Sequence, residues 1–214
     1  MQRVSSLIRN SDGSSAAEFA LVLPLLLIFL LGIIDVGRLM WTWNQAEKAT
    51  QMGARYAIVT DPVPSDLATF NFVGTGSLTQ GDVVPTTAYG TMTCTNPTGT
   101  KDSPVGSVTC TCSGTCPWGA TAASGTTAPF TLIYDRMHMF LSSLDPKNVS
   151  ISYKPSGLGF AGDPNGPDIS PVVTVELTGL TFQPTLLQLF GGTIPLPSFS
   201  AALTMEDGQG TVSN

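Results

Sequence analysis

An unbroken apolar run from Phe19 to Ile34, headed by a carboxylate at Glu18, constrains this chain more than any other feature. The run reads Phe19-Ala-Leu-Val-Leu-Pro24-Leu-Leu-Leu-Ile-Phe-Leu-Leu-Gly-Ile-Ile34. Its sixteen uncharged residues make roughly 24 Å of helix, short of the roughly twenty residues that a hydrocarbon core requires. Val36, Leu39 and Met40 extend the apolar surface, so the helix is expected to continue and to span the bilayer, with Trp41 and Trp43 at the outer interface. Asp35 and Arg38, at i and i+3, are placed to pair on one helical face and lower each other's insertion cost. After Glu18 the next basic residue along the chain is Arg38. A carboxylate so close to a membrane segment is costly unless something pairs with it. A cleaved secretory signal fits poorly, since the small residue Gly13 precedes the run and no A-x-A site follows it.

Charge and cysteine placement point to the compartment. Arg3 and Arg9 lie in a short polar leader, residues 1–13, and Lys101 is the only basic residue between Tyr56 and Arg136. The positive-inside rule then puts the N-terminus in the cytoplasm and the bulk of the chain outside it. From Asp61 onward four Lys/Arg face eleven Asp/Glu, a net charge of −7; a domain this acidic, with no basic stripe, excludes nucleic acid as a partner. Cys94, Cys110, Cys112 and Cys116 are an even number in a loop-rich region on the oxidising side. Their spacing, C-x15-C-x-C-x3-C, lacks the paired C-x2-C units of zinc sites. Disulfides are therefore expected. Three pairings exist, and the i, i+2 pair Cys110–Cys112 is the least comfortable to close. The favoured pairing is Cys94–Cys110 with Cys112–Cys116.

The rest of the chain divides by pattern. Residues 14–60 carry the membrane segment and its helical continuation, in which small residues recur at Ala46, Ala49, Gly53 and Ala57. That stripe is expected to pack on the protein's own sheet, with a neighbouring subunit's helix as the other possibility; Asp61-Pro62-Val-Pro64 should stop the helix. Residues 61–128 have no helical period. Thr91–Asn96 and Ser107–Cys112 there read as a hairpin or bulged loop stapled by the cysteines, in a region poor in large apolar side chains. Residues 129–214 should form an α+β unit: an amphipathic helix over Pro129–Leu144, strands at Val149–Tyr153, Val172–Leu177 and Phe199–Met205, and a short apolar helical turn at Pro184–Phe190.

Two constellations invite chemistry. His138, the only histidine, stands between Met137 and Met139 with Asp135 three residues back; a local hydrogen bond explains it better than a triad, which needs an activated nucleophile. No nucleophile–base set is present, so the chain is expected not to be an enzyme and to need no cofactor. Asp163, Asn165 and Asp168 offer oxygens that calcium favours. Their spacing fails the EF-hand pattern, so a surface turn is the better reading, to which Glu206 and Asp207 would add ligands only if the fold brought them near.

The residues together resemble the TadE-like family, the pseudopilins of tight-adherence (Tad, or Flp) type IV pili. The resemblance is carried by Glu18-Phe19-Ala20-Leu21, Pro24, Asp35-Val36-Gly37-Arg38 and Gly53-Ala54-Arg55-Tyr56-Ala57, and further along by Val172–Leu177, Leu186–Phe190, Gly191-Gly192 and the closing strand. It implies a long transmembrane helix continuing into a pilin-like periplasmic domain. It also implies cleavage by a prepilin peptidase between Gly13 and Ser14. Glu18 would then be the fifth residue of the mature chain, pairing with a Ser14 α-amino group in the same or an adjacent subunit. Glu18, Phe19, Pro24, Asp35 and Arg38 would be the assembly residues. The implied partners are other pilins and pseudopilins, the pilus assembly platform and the peptidase, at a bacterial inner membrane, with possible export to the cell surface in the pilus. The large domain suits a minor or tip subunit rather than the repeating fibre subunit. The alternative within the same resemblance is a TadG-like, unprocessed, membrane-anchored binding or adhesion module.

Overall fold

The computed structural model describes residues 14–164, 166–188 and 191–205. The leader with Gly13, Asn165, Leu189-Phe190 of the apolar turn expected at Pro184–Phe190, and the acidic pair Glu206-Asp207 lie outside them. The architecture is α+β, with a candidate membrane span, and the chain separates into two compact units. One comprises the N-terminal segment to Trp41 together with Thr181–Ile194; the other holds Thr42–Leu180 and the residues from Pro195 on.

A single continuous helix, α1, runs through Ser14–Ala57 and contains Pro24. By length and composition it is apolar enough to cross a membrane. From Ser15 to Gln45 its side chains are exposed or half-exposed with one exception, Asp35. The character changes in its last turns: Ala46, Ala49, Gly53, Ala54 and Ala57 are buried. The helix ends there, and a turn leads to Asp61, whose α conformation the Pro62 ring disfavours.

The second unit is built on a five-stranded antiparallel sheet. Its strands are β1 (Thr91–Thr95), β2 (Thr109–Ser113), β3 (Val149–Lys154), β4 (Val172–Leu177) and β5 (Phe199–Thr204), and the spatial order is β2-β1-β3-β4-β5. Strict alternation gives β1, β3 and β4 one fully buried face. Register aligns that face into rows across the strands: Cys110, Cys94, Ile151, Val175 and Ala201 form one, and Val149, Leu177 and Phe199 another. The cysteine hairpin is thus an integral part of the main sheet, drawn from 61–128, while β3, β4 and β5 come from 129–214. Each buried Ile, Val or Leu in these rows contributes about 1.5–3 kcal/mol. Cys94 and Cys110 face one another in register and are bonded, as are Cys112 and Cys116, so the favoured pairing is the one observed.

The second helix, α2, spans Pro129–His138 and buries Phe130, Ile133, Tyr134 and Met137. It is shorter than the Pro129–Leu144 expected from the apolar period. Leu141 and Leu144 are still buried, but in turns. Ser142-Ser143 hold a helix weakly, and Asp145 must be extended before Pro146, so the helical ladder gives way to an i, i+3 turn at Leu141–Leu144 before burial ends. At Gly53 the small-residue stripe of α1 meets α2: a Cβ added there would lie 2.6 Å from both Cγ and Sδ of Met137. Gly53→Ala is therefore expected to destabilise the protein by about 1 kcal/mol net, since overpacking of about 1–3 kcal/mol outweighs the gain in helix propensity. Thermal melts of Gly53→Ala alone and combined with Met137→Ala check this; in the double variant the clash should vanish and the propensity gain remain.

Residues 61–128 hold a small core that composition did not suggest. Phe72, Tyr89 and Trp118 pack edge-on or tilted with ring centroids 5.2–6.3 Å apart, and Phe70 joins Phe72 and Trp118. Val63, Leu67 and Val84 are buried as well. The Val63 N–H donates to the Tyr153 hydroxyl at 2.9 Å, which ties the region to β3. The disulfides are one staple among several.

Candidate functional site

In the first unit the bare surface of α1 is interrupted at one place. Asp35, 7% exposed, accepts a hydrogen bond from Arg38 Nη1 at 3.2 Å and another from the backbone N–H of Thr185 at 2.9 Å, both at Oδ1. The same Arg38 nitrogen donates to Thr185 Oγ1 at 2.7 Å, and the guanidinium carbon lies 5.5 Å from the centroid of the Phe182 ring. Thr185 opens α3 (Thr185–Gln188), a single helical turn. The i, i+3 spacing therefore does pair Asp35 with Arg38, and the pair works as a clasp on a segment almost 150 residues further along. Charge-assisted bonds of this kind are roughly twice as strong as neutral ones, and an arginine over an aromatic face adds to them. Sequence reasoning found the two charges and the apolar turn but not their connection, for which no local signal exists.

The other expected assembly residues sit on the exposed part of α1. Glu18, Phe19 and Pro24 are all exposed, Phe19 by 65%. Helix α1 passes through Pro24 without interruption, as membrane helices tolerate when neighbouring groups satisfy the freed carbonyl. Gly13 lies outside the described residues, and Ser14 is the first residue of α1.

Asp168, one of the three oxygen donors considered for calcium, is committed elsewhere. Its carboxylate, 6% exposed, accepts the backbone N–H of Phe72 at 2.7 Å and of Gly162 at 2.9 Å on Oδ2, and that of Asp163 at 3.2 Å on Oδ1. Gly159, at φ +122°, presses against the Asp168 carbonyl where no Cβ fits, so the loop closes tightly around this residue. Among the described residues no group of three His, Cys, Asp or Glu side chains is placed to hold a metal.

His138 closes α2 with its ring 5.5 Å from that of Tyr134, whose hydroxyl donates to the Leu144 carbonyl at 2.8 Å. Burial pushes the Asp135 carboxyl up from its ordinary value, with His138 opposing the shift. Asp135 lines a groove with Arg55, Tyr56, Leu132, Arg136 and Met139, between the last turns of α1 and α2.

Residues 13–55 match the family described as TadE-like protein. The matched span opens at Gly13, takes in Glu18, Pro24, Asp35 and Arg38, and closes at Arg55, two residues before α1 ends. No curated protein and no solved structure matches the chain.

Proposed function

We propose that this chain is a minor pilin or pseudopilin of a Tad-type pilus, cut after Gly13 and drawn from the inner membrane by assembly with other pilus subunits. The observation that carries the reading is that the TadE-like match covers a helix whose side chains from Ser15 to Gln45 are exposed or half-exposed, Asp35 excepted. A helix with this much apolar surface exposed needs a surrounding, which is lipid before assembly and other subunits after it. Glu18 serves the transfer: the α-amino group created at Ser14 offers a cation within four residues of it, and the pair lowers the cost of holding a carboxylate at the membrane. The domain lies on the periplasmic side and presents the disulfide hairpin to the pilus tip or to a surface. The role is structural; His138 belongs to the packing at the end of α2 and not to a reaction.

The N-terminal residue of the protein isolated from its native membrane, read by mass spectrometry, tests this. A chain beginning at Ser14, with cleavage lost in Gly13→Ala, is the expected result. A chain that keeps its leader would overturn the pseudopilin reading in favour of a permanently anchored TadG-like module.

A further inference from the structure

Strands β4 and β5 are hydrogen-bonded neighbours, yet the chain takes residues 178–198 to pass from one to the other. Adjacent antiparallel strands are ordinarily joined by two to five residues; this connection instead carries elements of its own, α3 and a two-stranded pair of Thr181–Phe182 with Ile194–Pro195. This excursion contains no charged side chain; the uncharged stretch extends from Leu177 to Met205. Its neck is closed where the Leu196 N–H donates to the Leu180 carbonyl at 2.8 Å. Beyond the neck, residues 181–194 form one compact unit with the membrane segment of α1. They are held there by the bonds of Asp35 and Arg38 to Thr185 and by the approach of Arg38 to Phe182.

We propose that residues 181–194 are a second membrane contact, an uncharged excursion seated in the outer interfacial layer of the bilayer beside α1. The inference rests on α1 spanning the membrane. Twenty residues counted from Phe19 end at Arg38, and about twenty cross the hydrocarbon core, so the clasp lies at its outer boundary. Around that level Ile33, Ile34, Val36 and Met40 are 48–60% exposed, and their surface is continuous with that of the span below. The sequence of the excursion supplies Leu186, Leu187, Leu189 and Phe190, and its backbone is pinned at Thr185. An arginine that keeps its head at the interface while its stem lies along apolar surface suits this level. Lipid is the occupant that meets both the exposed helix and an excursion with no charge to hydrate.

The test uses the full chain in phosphatidylethanolamine–phosphatidylglycerol vesicles, with photoreactive benzoylphenylalanine placed singly at Leu186, Leu187, Leu189 and Phe190. Phe29, within the span, and Leu158, an exposed apolar residue of the other unit, serve as references. Lipid adducts, read as a mass increase, are expected at Phe29 and at one or more of the four positions, and not at Leu158. They should be lost from the four, and kept at Phe29, when Asp35→Ala opens the clasp. Adducts at Phe29 with none at the four, or only protein–protein adducts there, would overturn the proposal and leave the membrane span standing. Absence of adducts at Phe29 as well would overturn the span itself.

Discussion

Replacing Asp168 with alanine is expected to lower the stability of the protein by about 3–5 kcal/mol, because three backbone amides lose a charged acceptor together. The three donors come from two places in the chain: Phe72 lies almost a hundred residues before Asp168, and Gly162 and Asp163 lie just before it. One carboxylate thus ties the aromatic core of residues 61–128 to the loop that precedes β4. A buried amide without a partner costs about 1–3 kcal/mol, and water reaching Gly162 and Asp163, which are less enclosed than Phe72, keeps the total below the sum. The corresponding fall in melting temperature is on the order of 10 °C for a chain of this size. Asp168→Asn should fall between, since one oxygen still accepts while the new amide group meets donors. Phe72 packs against Tyr89 and Trp118, so the near-ultraviolet circular dichroism of the indole should weaken before the sheet melts. A variant that melts with the unaltered protein would show that solvent replaces the carboxylate at no cost.

That carboxylate also marks where the sequence stops being readable. Asp163, Asn165 and Asp168 offer oxygens at a spacing that reads as a surface turn, and nothing local tells that Asp168 accepts the amide of Phe72. The strands at 149–154 and 172–177 were legible because a half-buried strand writes its alternation into its residues; the strand at 199–204 alternates only in part. The hairpin at 91–95 and 109–113 was legible because its cysteines and turn formers are near neighbours. That β1 also pairs with β3, joining Cys94 to Ile151, is a contact between residues more than fifty apart and leaves no periodic trace. The over-long second helix has a related cause. Apolar spacing reports which side chains face the core, and Leu141 and Leu144 do, while Ser142, Ser143 and Pro146 decide where backbone hydrogen bonding can go on. At the clasp, the i, i+3 geometry of Asp35 and Arg38 was visible, and so was a helical turn where Thr185–Gln188 forms one. Their union depends on the path of the chain between β4 and β5.

Opening that clasp should have the second-largest effect, and a local one. In Asp35→Ala the Thr185 amide loses its carboxylate acceptor and Arg38 loses one of its oxygen partners, an expected loss of about 2–3 kcal/mol for a charge-assisted bond outside bulk water. At tenfold per 1.4 kcal/mol, hydrogen exchange at Thr185 should quicken by roughly 30- to 150-fold, provided it proceeds by local opening. Exchange in β3 and β4 should hold, because the sheet's rows do not include this residue. Arg38→Ala should quicken exchange less. It removes the bond to Thr185 Oγ1, yet the Asp35 carboxyl still accepts the Thr185 N–H. The double variant should resemble Asp35→Ala alone, since the two charges act on one segment and their effects cannot add. If the effects were additive, Asp35 and Arg38 would be holding different things, and the 181–194 segment would owe its place on α1 to its apolar residues instead of to this pair.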